Sequence, residues 1–294
     1  MPVQTVKLQG KEELEKLREK LLHTKGIQRE QPTNEWEAFR MRYKDATIIG
    51  YTSGKVVINK KSAYRLVSNL LRKIGGRANE KYDFILGTDE AGKGEWLGPL
   101  VISGVAMTPK EANTLKIKGV MDSKELSKKK LMTLYSFIKN AFTASRYHII
   151  NLPPVKFNRK FKEIHKDQKN LNDLLAWGHT QCIKTILPHL TRKDLKINVI
   201  IDEFDRVKST KRMQKLQTDK KLTILQEPGA EVHIPVAAAS ILARGEREKW
   251  ITEYSEKNNI NLRKLTPEEV YGREDRHEIS KVAYLKSYVR ESNN

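Results

Sequence analysis

Two adjacent carboxylates, Asp89 and Glu90, sit in the glycine-rich stretch Gly87-Thr88-Asp89-Glu90-Ala91-Gly92-Lys93-Gly94. Gly92 and Gly94 let the backbone approach another chain closely, and Lys93 between them adds positive charge. Acids beside a turn that suits phosphate belong to metal-assisted phosphodiester chemistry. Taken alone, the stretch reads as a polar hairpin on a sheet edge with its acids solvated. Two further acids give it company. Asp202 closes the apolar run Ile197-Asn198-Val199-Ile200-Ile201, and Glu231 follows a strand-like segment at 222–225. If these strands are neighbours in one sheet, their ends converge on one pocket. Hard oxygen ligands with no Cys and no evident His among them point to Mg2+ or Mn2+ and away from Zn2+. Two such ions, about 3.5–4 Å apart, would serve the attacking and the leaving oxygen of a phosphodiester. Acids at strand ends also cap helices, so each of the three positions has that second reading.

The elements that must position these acids are visible in the pattern of apolar residues. Phe84-Ile85-Leu86 reads as the end of a buried strand running out into the acidic turn, and Leu100 to Met107 as the next strand. The 197–202 run is continuous enough for a central strand covered on both faces. Ser127 is an N-cap for a helix carrying Leu131, Leu134, Tyr135 and Ile138. Residues 147–151 form a strand, 156–170 show no regular pattern, and a long helix runs from Leu171 to about Leu190. On that helix Leu174 and Trp177 read as core and His179 as a packed or surface residue. The small-residue run from Val236 to Arg244 is a helix start able to pack tightly on the sheet.

Upstream, residues 3–8 alternate as a strand, and Leu14, Leu17 and Leu21 mark an amphipathic helix. Residues 28–35 read as a loop, and 36–58 alternate with period two, with Ser53-Gly54 as a turn. A second amphipathic helix spans 63–74. This is a small α+β unit, and the polar, glycine-bearing residues after it place a domain boundary at 76/77. Over residues 1–76 there are 16 Lys and Arg against 8 Asp and Glu. The sheet face bearing Arg40 and Arg42 is therefore either a nucleic-acid platform or an ordinary solvated face.

The whole chain of 294 residues carries a formal net charge of +20, which favours a polyanionic partner. The basic run at 206–221 is either a phosphate-facing surface or a solvated helix. Cys182 is the sole cysteine, so no internal disulfide or thiolate metal cluster can form within one chain. No apolar run spans a bilayer and the first residues lack a signal core, so a cytoplasmic protein is expected.

The motifs GTDEAGKGEWLGP, DSKELS, IIDEF and VAAASILAR occur in the order found in the type 2 ribonucleases H, the ribonuclease HII/HIII family, which this chain resembles. The stretch LPPVKFNRKFKEIHKDQKNLNDLLAWGHTQCIKTIL and the N-terminal unit resemble the HIII branch, whose N-terminal domain is similar to the TATA-box-binding protein. The resemblance implies an α/β ribonuclease H fold with a mixed central sheet over residues 77–294. It also implies a TATA-box-binding-protein-like substrate-binding domain over 1–76. The implied activity is endonucleolytic cleavage of the RNA strand of RNA/DNA hybrids, with 3′-hydroxyl and 5′-phosphate ends. Its implied catalytic metal ligands are Asp89, Glu90, Asp202 and Glu231, holding Mg2+ or Mn2+, two ions per site. Gly92, Lys93 and Gly94 would lie against the ribose beside the scissile phosphate, where backbone groups could reach a 2′-hydroxyl. Lys124 and Ser240 would contact phosphate or sugar, and Ser123 has a turn-building role.

Two positions depart from the family pattern. Many HIII members have threonine where this chain has Lys93; a basic residue there is an HII feature and accompanies cleavage at single ribonucleotides embedded in DNA. Glu231 lies one residue nearer the small-residue helix than the family spacing, with Glu227 as a substitute. An HII-like junction enzyme and a hybrid-binding protein without catalysis are the rival readings; acids at all four ligand positions argue against the second. The C-terminus shows no sliding-clamp motif, and a monomer is expected.

Overall fold

The computed structural model describes residues 4–8, 11–60, 62–64, 66–67, 69–71, 74, 82–120, 126–190, 194–202, 221–227, 230 and 233–291. Its first sheet has five antiparallel strands in the order β1-β5-β4-β3-β2: Gln4–Lys7 (β1), Ile27–Glu30 (β2), Glu37–Tyr43 (β3), Ala46–Tyr51 (β4) and Lys55–Ile58 (β5). Phe39 and Met41 on β3 are buried with Leu14, Leu17 and Leu21 of helix α1 (Lys11–Leu22), and with Val67 and Leu71 from the helical residues among 62–74. Arg40 and Arg42 alternate onto the opposite face. The loop expected at 28–35 is in part an edge strand: β2 pairs with β3 from Ile27↔Tyr43 to Glu30↔Arg40. Four residues with two polar ones at the centre give too little alternation to announce a strand; pairing to β3 supplies what the side chains do not.

The β3 face is tied down by charge. Glu37 is buried, and it accepts hydrogen bonds from Arg40 Nη2 at 2.6 Å, from Thr33 N at 3.0 Å and from Thr33 Oγ1 at 2.9 Å. The Arg40 hydrogen bond, opposed by burial and aided by Thr33, pulls the Glu37 carboxyl down to about 2. A carboxylate whose pKa is lower folded than unfolded stabilises the fold above its ordinary value of 4.5, and loses that contribution as pH falls toward about 2. Glu37→Gln should cost roughly 2 kcal/mol at neutral pH, and its denaturation midpoint should converge on that of wild type between pH 4.5 and 2. A gap independent of pH would refute the ionic account.

The second sheet is mixed, in the order β10-β9-β6-β7-β8: Phe84–Ala91 (β6), Leu100–Met107 (β7), Tyr147–Leu152 (β8), Lys196–Asp202 (β9) and Lys221–Glu227 (β10). β6, β9 and β10 run parallel, whereas β7 and β8 pair antiparallel. One face carries helices α2 (Pro109–Ile117), α3 (Lys128–Ala141) and α6 (Ile234–Lys257), whose apolar side chains cluster with Val105 and Met107. The other carries α4 (Pro154–Lys166) and α5 (Leu171–Ile186), packed on Leu100, Ile102 and Leu86. Short helices α7 (Pro267–Tyr271) and α8 (Arg276–Ile279) and the C-terminal α9 (Val282–Glu291) follow. The run of small residues in α6 does bring it close to the sheet: a Cβ on Gly87 would stand 2.2 Å from the Pro235 carbonyl carbon.

Two helices correct the sequence reading. Residues 154–166 are helical, with Phe157, Phe161 and Ile164 buried or half-buried at helical spacing; six Lys, Arg and His residues between and around them hide that stripe in the sequence. α2 was not anticipated either, although Thr108 and Glu111 form a capping box at its start. Asp89 and Glu90 also lie within β6, paired to Ser103 and Ile102, rather than in the turn beyond it. The two sheets' units touch where Lys116 pairs with Glu13 and the Tyr64 hydroxyl donates to the Ile117 carbonyl. The boundary expected at 76/77 and most of the basic run at 206–221 fall outside the described residues. Among the described residues, no helix is long and apolar enough to cross a membrane.

Candidate active site

Strand alternation at the end of β6 sends successive residues to opposite sides of the sheet. Gly87, Asp89 and Ala91 share the α6 face. Asp89 is opposite Ser103, whose hydroxyl donates to the Ala239 carbonyl of α6 at 2.6 Å. Asp89 is 5% exposed, and its Oδ1 accepts the Glu90 N–H at 2.8 Å. On the parallel neighbour β9, Thr88 pairs with Ile201, so the next positions along the two strands, Asp89 and Asp202, stand side by side at the strand ends. Asp202 in turn pairs with Glu227 of β10. β6 and β9 are thus neighbours, the condition on which the sequence reading made Asp89 and Asp202 converge.

Glu90 faces α5. Its Oε2 accepts from His179 Nε2 at 3.1 Å, and the other ring nitrogen lies 2.9 Å from the Thr88 hydroxyl. Lys93 Nζ approaches Oε1 at 3.6 Å. Burial works to raise the Glu90 carboxyl, but the His179 hydrogen bond and charge, and then Lys93, outweigh it and hold it below its ordinary value. His179 is fully buried, so of the two readings, packed or surface, it is the packed one; what the sequence reading lacked is its bond to Glu90. The signal was present. Leu175, His179, Cys182 and Ile186 form one helical stripe, all buried, and a histidine in an apolar stripe needs a polar partner on the sheet it covers.

After β6 the chain turns through Gly92, at φ +85°, where a Cβ would also lie 2.3 Å from the Pro99 carbonyl oxygen; only glycine fits. Gly94 borders open space, with nothing within 4 Å of a Cβ there. Lys93 is committed in part to Glu90, as described. Ser240, a candidate contact to phosphate or sugar, is buried at 4% exposure on α6. In the first sheet Arg40 is held by Glu37, and Arg42 Nε pairs with Glu30 at 2.6 Å. Both arginines sit on the face opposite the Phe39 and Met41 core, each with an acid beside it. Lys124, Ser123 and Glu231 lie outside the described residues.

Among the described residues, no group of three or more His, Cys, Asp and Glu side chains is gathered as a metal site. What is described still suits a hard divalent cation. Asp89 is buried at a strand end beside the Asp202 position, and Glu90 is held in its charged form. Oxygen donors of this kind select Mg2+ or Mn2+.

Residues 86–266 match the family model described as Ribonuclease HII. The chain is 38% identical over 215 residues to ribonuclease HIII of Protochlamydia amoebophila (strain UWE25), covering 70% of this chain and 67% of that one. To ribonuclease HIII of Chlamydia caviae it is 32% identical over 253 residues, 83% and 79% of the two chains. Among solved structures, the complex of Bst-RNase HIII with Mn2+ superposes with a TM-score of 0.60 at 19% identity, covering 99% of each chain. Aquifex aeolicus RNase H3 superposes with a TM-score of 0.52 at 18% identity, covering 96% of this chain and all of that one. At such identities these two superpositions speak for the fold, across both sheets.

Proposed function

The chain belongs to the ribonuclease HII/HIII family, and from that premise we propose the roles of its residues and the ends of its products. It is a metal-dependent endoribonuclease that hydrolyses RNA in RNA/DNA hybrids. The observation that carries the assignment of the site is the side-by-side register of Asp89 and Asp202 at the ends of parallel β6 and β9. These two acids, with Glu90 and Glu231, would hold Mg2+ or Mn2+, as two ions. When bound, the metal supplies the positive charge that polarises the phosphate and eases ionisation of the attacking water. No protein nucleophile is needed, and the products carry 3′-hydroxyl and 5′-phosphate ends.

The chain's own groups bind and orient. The open side of the turn at Gly92 and Gly94 suits close approach of a sugar, and its backbone groups can pair with a 2′-hydroxyl, the mark of RNA. Lys93, half-exposed, can turn between Glu90 and a phosphate; Lys124 and Ser240 complete the proposed contacts. Residues 1–76 form the substrate-binding domain, with the sheet face of Arg40 and Arg42 toward the hybrid, and residues 77–294 the catalytic domain. HII-like cleavage at single embedded ribonucleotides is the second reading, and Lys93 favours it.

Two labelled duplexes, each tested with Mg2+ and with Mn2+, decide between them. One carries a run of ribonucleotides against DNA, the other a single ribonucleotide within DNA. Cutting at several internal sites of the run, with the single site spared, is the expected result. Efficient cutting at the single site would move the assignment to the HII type, and cutting of neither would overturn both.

A further inference from the structure

The turn that follows β6 is gripped from behind by a segment near the far end of the chain. Leu97 bridges to Ser280, the Gly98 N–H donates to the Ile279 carbonyl at 3.0 Å, and the Lys281 N–H donates to the Trp96 carbonyl at 2.7 Å. Inside this clip the Lys281 side chain is fully buried. Its ammonium donates to the Gly98 carbonyl at 2.7 Å and lies 5.8 Å from the centre of the Phe157 ring. Arg247 of α6 holds the same turn from another side: its Nη2 donates to the Leu97 carbonyl at 2.9 Å and meets Glu95 Oε2 at 2.5 Å. Asn158 of α4 anchors the segment in turn. Its amide donates to the Ser280 carbonyl at 2.9 Å, and its oxygen accepts the Val282 N–H at 3.0 Å.

A buried lysine with no paired carboxylate among the described residues is an expensive way to fill space. Burial first, and then the Arg247 charge, pull its ammonium down to about 7, with Glu95 acting the other way. An unbranched apolar side chain would occupy the same volume at lower cost. Stability alone therefore does not account for a lysine here; the donor it aims at Gly98 does.

We propose that Lys281 is a positioning residue of the active site: through the Gly98 carbonyl it fixes the turn that presents the Gly92 to Gly94 backbone to the ribose beside the scissile phosphate. The inference rests on the reading of that turn as the ribose contact. Its consequence is specific. Hybrid affinity comes from contacts spread over the charged surface, whereas misplacing the turn acts on the bond being broken, so kcat suffers and KM does not.

Lys281→Met in the full-length protein tests this. Its melting temperature should equal or exceed that of wild type, and Mn2+ binding measured by calorimetry should be unchanged. On the ribonucleotide-run duplex KM should stay within about twofold while kcat falls about tenfold. An unchanged kcat overturns the proposal, as does a fall in kcat fully matched by loss of folded protein. Should Lys281→Met fail to fold, Lys281→Gln decides: it is neutral, and its side chain ends one bond short of the ammonium that reaches the Gly98 carbonyl. A normal kcat in that variant overturns the proposal. A wild-type protein that leaves the duplex intact refutes the functional reading itself, an outcome distinct from a failure of Lys281 alone.

Discussion

Asp89→Asn should yield a folded protein that binds hybrid at least as well as wild type and cleaves it at least roughly 10³-fold more slowly, a loss of about 4 kcal/mol of transition-state stabilisation. The substitution is close to isosteric. The Asn oxygen can still accept the Glu90 N–H that Asp89 Oδ1 accepts at 2.8 Å, so the end of β6 keeps its local geometry. Pairing of β6 with β7 and β9 depends on backbone groups that the change leaves alone. What disappears is one negative charge at a buried strand end, next to the Asp202 position. Binding should not weaken, because removing a negative charge beside a polyanion cannot reduce its attraction to a chain of net charge +20. Single-turnover cleavage with saturating Mn2+, paired with fluorescence anisotropy on the same labelled hybrid, measures both. Cleavage within tenfold of wild type would remove Asp89 from the centre of the site; loss of binding along with cleavage would point to misfolding, which circular dichroism would show.

The strands carrying this site were legible because burial on both faces leaves a plain mark. β9 is apolar nearly throughout, and β7 is buried at every position, so neither allows a polar alternation. Their order in the sheet was not legible from periodicity, which says nothing of which strands are neighbours; the family resemblance implied only a mixed sheet, and the adjacency of β6 and β9 came with the fold. Elements whose apolar residues are few or diluted were harder. In α4 the stripe of Phe157, Phe161 and Ile164 is interrupted by lysines and an arginine, and the helix declares itself only once it lies against Leu152 and Leu174. β2 shows no stripe of its own and exists through its pairing with β3. Roles that depend on two distant segments meeting were the least legible. Nothing local to Lys281 says that it will be buried under Gly98, and nothing local to Asn158 says that it will hold the 280–282 backbone. His179 is the instructive middle case, because its place in the stripe called for a partner while the partner's identity waited for the fold.

That partner makes His179→Ala the second large effect. Glu90 is nearly buried, its side chain 10% exposed, and a desolvated carboxylate tends to take up a proton. The His179 hydrogen bond at 3.1 Å and its charge are the main forces that reverse this tendency, with Lys93 behind them. The imidazole is oriented in its turn by Thr88, two residues back on the same strand face. Removing the ring leaves Glu90 more readily protonated and free to turn, and a protonated or misdirected carboxyl is a poor ligand for a hard cation. Loss of such a supporting group typically costs 10–100-fold in metal affinity or activity. His179→Ala should therefore shift the Mn2+ concentration for half-maximal cleavage upward by about 10–100-fold, with rate recovered in part at high Mn2+. His179→Gln, which can still present an N–H donor toward Glu90, should retain more of the affinity. Direct Mn2+ titration by calorimetry separates this from a packing defect, since a cavity under α5 lowers the melting temperature of both variants without weakening the metal. A wild-type Mn2+ dependence in His179→Ala would show that Glu90 does its work without the histidine, and would return His179 to the packing role its stripe first suggested.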